Sequence, residues 1–88
     1  MNVEVETMGG NDFLVKVSAA NATEHRVTLT DAYWELIWNR RLTKNDVIAR
    51  SFAFLLAREP NTSILRTFDL SVIQRYFGDY EAKAAIWK

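Results

Sequence analysis

The chain contains no cysteine. That absence removes disulfide frameworks, thiolate zinc sites and thiol nucleophiles together. A small domain without such staples holds together by packing, or by associating with a second copy of itself. Glycine occurs three times and proline once, too few for a glycine-rich phosphate loop or a proline-rich linker. Charge of one sign is also missing: eleven basic residues balance eleven acidic ones, for a formal net charge of zero. That balance disfavours nucleic acid as a partner, because little counterion release is on offer. No apolar run approaches the ~20 residues of a membrane helix. The opening MNVEVETMGG has neither the basic nor the apolar region of a signal peptide. A cytoplasmic location and no membrane partner are therefore expected.

What is present is apolar and aromatic. Hydrophobic residues make up 49% of the 88 and aromatics 12%, which places the chain among globular proteins and predicts one domain over residues 1–88. Residues 2–8 alternate Val3 and Val5 with Glu4 and Glu6, the period of a half-buried strand. Gly9-Gly10-Asn11 supplies the positive-φ positions of a tight turn, and a second strand over 12–18 follows. A three-residue turn sets Val3 opposite Val17, Val5 opposite Val15 and Glu4 opposite Lys16, keeping apolar and charged faces apart. A third strand over 25–30 is expected after a turn at residues 21–24, with Val27 opposite Val17 and Leu29 opposite Val15.

Helices follow. Thr30 or Asp31 caps a helix over 31–38, although YWELIW also fits an extended strand. Thr43, with Asp46 three residues on, resembles a capping box opening a helix over 44–57, which Pro60 ends. At about 100° per residue, Ile48, Phe52, Leu55 and Leu56 share one side, while Val47 and Phe54 fall opposite, between Arg50 and Arg58. A helix apolar on two sides is either sandwiched in its own chain or shared with another. A short turn around residues 63–66 precedes a helix over 70–77, capped by Asp69 and stapled by Phe68 against Ile73. Gly78 stops it, and a last helix covers 80–87. The predicted fold is α+β: a three-stranded antiparallel meander with three to four helices on one face.

No residue pattern points to catalysis. His25, the single histidine, falls in a predicted turn and reads as solvated, with no nucleophile or carboxylate arranged around it. No spacing gathers metal ligands, and neither a cofactor nor an enzymatic activity is expected. Arg58, Arg66 and Arg75 flank the helix junctions and define a candidate anion site. The competing reading has them pinning those junctions against Glu59, Asp69 and free carbonyls. Three tryptophans exceed what a small core easily hides. Trp38, Val47, Phe54 and Trp87 therefore form a candidate protein interface.

The segments VTLTDAYWELI, SFAFLLAREPNTSILRTFDLSVIQRYF and DYE, within residues 27–80, carry a resemblance. They are similar to a group of small uncharacterised bacterial proteins. These share a helix with Ser51, Phe52, Phe54, Leu55 and Leu56 ending in Arg58-Glu59-Pro60. A Ser63-Ile64-Leu65 turn comes next, then a segment matching Phe68, Asp69, Leu70, Ile73, Arg75, Tyr76 and Phe77. The departure is Gly78, where proline is the expected residue. The resemblance implies a fold and transfers no activity.

The function expected from sequence is a non-enzymatic interaction protein that self-associates as a homodimer, or contacts a further protein. Two alternatives stand beside it. The order strand, short helix, long helix resembles a ribbon-helix-helix DNA-binding regulator, with Arg26, Thr28 and Thr30 as its base-reading face. A small-ligand-binding domain, with an apolar pocket between sheet and helices, is the other.

Overall fold

A computed structural model describes residues 2–88. Strands β1 (Asn2–Thr7), β2 (Asp12–Ser18) and β3 (Thr23–Thr28) form the antiparallel meander. Helices α1 (Asp31–Trp38) and α2 (Lys44–Leu56) follow, then a 3-10 turn (Asn61–Ser63). The chain next returns to the sheet as β4 (Thr67–Asp69), parallel to β3, and ends in a 3-10 turn (Leu70–Val72), α3 (Ile73–Tyr76) and α4 (Tyr80–Ala84). The architecture is α+β, and the sheet has four strands in the order β1-β2-β3-β4.

The first hairpin has the expected pairing, with Val3 opposite Val17, Val5 opposite Val15 and Glu4 opposite Lys16. Gly9 and Gly10 turn it at φ 96° and 59°, angles at which a Cβ is strained. The second hairpin differs from expectation. Val27 lies opposite Phe13, and Val15 opposite His25, because β3 begins earlier and the turn at residues 19–22 is tighter. Parity survives the slip, so Phe13, Val15, Val17, Val27 and Leu29 all face inward, each no more than 2% exposed. The tighter turn also draws Thr23 and His25 onto the apolar face.

The caps follow the sequence. Thr30 accepts from the Tyr33 N–H at 3.2 Å and Thr43 from the Asp46 N–H at 3.1 Å. Asp69 accepts from the Ser71 N–H at 3.0 Å, each bond filling an orphan donor at a helix start. Residues 31–38 are helical rather than extended; α1 stops at Asn39, in the left-handed region at φ 48°. The two C-terminal helices are shorter than the 70–77 and 80–87 expected.

α2 lies at the centre of the core. On its sheet side Phe52 meets the rings of His25 (centroids 5.3 Å apart) and Phe68 (6.1 Å). On its other side Phe54 packs edge-on against Tyr80 (5.2 Å) and Phe77 (6.0 Å). The helix is sandwiched within its own chain. The tryptophans are likewise absorbed: Trp38 is fully buried, stacks on Trp87 at 6.3 Å and donates its indole N–H to the Ala84 carbonyl at 2.9 Å.

Candidate functional site

α2 ends ahead of Pro60, and the chain must then cross back to the sheet edge. The crossing leaves a cleft of about 310 Å³ between the end of α2, the 64–69 segment and the turn into α3. Leu55, Ile64, Phe68 and Ile73 form its apolar floor, and Leu65 and Tyr76 stand at its mouth, 46% and 67% exposed. Its charged lining residue is Glu59. Burial raises the Glu59 carboxyl above its ordinary value, and among the described residues no ion pair offsets that cost. The size suits one apolar side chain or a small apolar molecule.

The far wall of this cleft is fixed from beneath by a buried polar cluster. His25 is fully buried, not solvated as its sequence context implied. Its Nδ1 lies 2.7 Å from the Leu65 carbonyl and its Nε2 2.8 Å from Thr23 Oγ1. A carbonyl only accepts, so Nδ1 carries the proton, and Thr23 Oγ1 donates to a bare Nε2. Thr23 Oγ1 in turn accepts from Asn61 Nδ2 at 2.8 Å, and Asn61 Nδ2 also reaches the Asn21 carbonyl at 2.7 Å. The loop before β3, the start of the 3-10 turn and the cleft wall are thus bound together. Burial is the main cause that lowers the His25 pKa; the Leu65 carbonyl opposes it and the Arg66 charge adds to it. The ring is a neutral structural member with no free nitrogen for base catalysis.

A second, shallower cleft of about 530 Å³ lies between α2 and the C-terminal segment, lined by Arg50, Phe54, Arg58, Lys83 and Trp87. The Arg58 guanidinium sits 3.5 Å over the Phe54 ring and donates to the Phe54 carbonyl and to Asp79. Lys83 also pairs with Asp79, at 3.0 Å, and its hydrogen bond is the main reason that the exposed Asp79 carboxyl titrates low. Arg58 and Lys83 are thus engaged within the chain.

The remaining expected site residues are distributed differently from the sequence reading. The anion site does not assemble: Arg58 folds over Phe54, Arg66 and Arg75 are exposed, and neither cleft is lined by two of the three. The proposed interface is internal, with Trp38, Val47 and Phe54 buried and Trp87 half-buried against the core. Ribbon-helix-helix pairing needs a free edge, yet β3 lies between β2 and β4. Thr28 is tied to Asp12 at 2.7 Å and Thr30 is the α1 cap, which leaves Arg26 alone of that face in solvent. None of the site residues expected from sequence lines this cleft, and Ile64 and Glu59 carry no sequence signal for it. Among the described residues no group of three His, Cys, Asp or Glu is placed to hold a metal ion, and no helix is long and apolar enough to cross a membrane.

No protein-family model matches this chain, and no curated protein or solved structure matches it either.

Proposed function

We propose that this chain is a non-enzymatic interaction module that takes an apolar side chain of a partner protein into the cleft beside Glu59. The observation that carries the reading is an unfilled apolar cleft with one unpaired, partly desolvated carboxylate at its rim. An apolar group gains by leaving water there, at about 25 cal/mol per Å² buried. A basic residue flanking that group relieves the carboxylate. Self-association through Trp38, Val47 and Phe54 loses its motive, since the chain's own core occupies those side chains.

The test is an NMR titration with 2-phenylethylamine and its neutral analogue 2-phenylethanol. Both are expected to shift the resonances of Leu55, Ile64, Phe68 and Ile73, with the amine bound more tightly. Glu59→Gln removes the preference for the amine without removing binding. Val72→Trp, at the half-exposed wall, fills the cleft and abolishes both. Absence of any shift at millimolar concentrations of either probe overturns the proposal.

A further inference from the structure

The sheet ends at β1 on one side and β4 on the other. β4 is three residues long and runs straight into a capped turn, so it offers a partner almost no backbone. β1 is six residues long. The phase of its ladder is set by the bond from the Met8 N–H to the Asp12 carbonyl, 2.9 Å, because antiparallel pairs alternate between bonded and non-bonded positions. Counting back along the register, Glu6 and Glu4 are in bonded pairs with Leu14 and Lys16, while Thr7, Val5 and Val3 are in non-bonded pairs. The N–H and C=O groups of Val3, Val5 and Thr7 therefore point away from β2, along the open edge. The next ladder agrees. The bond from the Leu29 N–H to the Asn11 carbonyl, 2.9 Å, commits Phe13, Val15 and Val17 to β3 and leaves the alternate residues of β2 to β1.

The side chains select what can pair there. Val3 and Val5 are half-buried, packed on the core but not closed over. Glu4 and Glu6 occupy the opposite face. Lys16 reaches Glu6 at 3.5 Å, and Glu4 is exposed without an ion partner among the described residues. A second copy is a poor occupant. Setting Val3 against Val5 places Glu4 opposite Glu4, and setting Val5 against Val5 places Glu4 opposite Glu6. These are the non-bonded positions of such a pairing, where cross-strand side chains come closest and like charges repel. Acidic residues thus guard this edge against self-pairing.

We propose that β1 is a docking edge for an extended segment of a partner protein in which basic residues alternate with apolar ones, added antiparallel as a fifth strand. Its backbone takes up the outward groups of Val3, Val5 and Thr7. Its apolar residues extend the cover over Val3 and Val5, and its lysines or arginines stand opposite Glu4 and Glu6. This surface is at the other edge of the sheet from the Glu59 cleft and does not rest on it.

The test uses the full chain, isotope-labelled, with a capped Lys-Val-Lys-Val-Lys-Val peptide and its Glu-Val twin. The lysine peptide is expected to shift the amides of Val3, Val5 and Thr7 and slow their exchange with solvent, more weakly as salt rises, while the glutamate peptide does neither. Glu4→Lys, a change at an exposed side chain, is expected to weaken the lysine peptide roughly three- to tenfold. Val5→Pro deletes an outward N–H while sparing the β1–β2 ladder, and is expected to abolish the amide protection; should that variant fail to fold, Glu4→Lys decides. Equal response to both peptides, responses centred on the cleft instead, or no response at millimolar peptide overturns the inference.

Discussion

His25 shows how much a single side chain contributes when a group that titrates near neutral pH is buried in a core. The folded state holds the ring neutral below its ordinary pKa of 6.5, whereas the unfolded chain titrates near that value. Below pH 6.5 the unfolded state binds a proton that the folded state refuses, so stability present above 6.5 falls as the pH drops toward the folded pKa. Unfolding free energies from urea melts between pH 7.5 and 5.5 are expected to decline, with a slope up to about 1.4 kcal/mol per pH unit for one proton. In His25→Asn this component of the slope disappears, although the protein is weaker throughout. A His25 NMR titration midpoint at or above 6.5 contradicts the account. Ser51 and Tyr80 form a second buried pair, their hydroxyls 2.7 Å apart, with Ser51 Oγ also donating to the Val47 carbonyl at 2.7 Å. Tyr80→Phe leaves Ser51 a partner and is expected to cost about 1 kcal/mol. Ser51→Ala strands a buried phenol and costs more, about 1–3 kcal/mol. The reverse order in denaturant melts counts against this wiring. Neither cluster is legible in the sequence, because His25, Thr23 and Asn61 meet only after a long stretch of chain has folded between them.

At the scale of elements, periodicity and caps carried most of the information. The faces of β1 and β2, the Gly-Gly-Asn turn and the Thr30, Thr43 and Asp69 caps are local properties, and each is where its residues put it. Register in the second hairpin is not local. Two pairings keep Val15 and Val27 inward, and the choice between them depends on whether Thr23 and His25 find partners inside, which Leu65 and Asn61 supply from the far side of α2. β4 is missed for a related reason: Thr67-Phe68-Asp69 has no alternation to read, and becomes a strand only because β3 offers it a free edge. The two-sided α2 was visible as an alternative from the start, and the sandwich resolves it. Phe54→Ala, on the side of α2 that packs against Phe77 and Tyr80, is therefore expected to destabilise the fold by about 3–5 kcal/mol, as a core truncation does, with no change in sedimentation. A small stability loss accompanied by altered self-association contradicts this. Thr43→Ala is expected to cost about 1 kcal/mol in thermal melts through its lost cap.

The whole molecule closes its core without help from a second copy. Trp38, Phe52 and Tyr80 are interior, the open β1 edge bears two exposed glutamates, and the apolar cleft is sized for a side chain. A monomer of 10.2 kDa is expected in sedimentation at tens of micromolar, and a dimer there would point instead to the outer side of α1, where Leu36 is 77% exposed. The parallel strand β4 has a consequence for biosynthesis. Phe68, Leu70, Ile73, Tyr80 and Ala84 are all interior, so roughly the final quarter of the chain completes what its opening hairpin begins. On the ribosome the early strands and α2 emerge with their greasy surfaces bare, and folding must wait until those last residues clear the exit tunnel. For that interval the inner faces of the sheet and of α2 have nothing of their own chain to lie against.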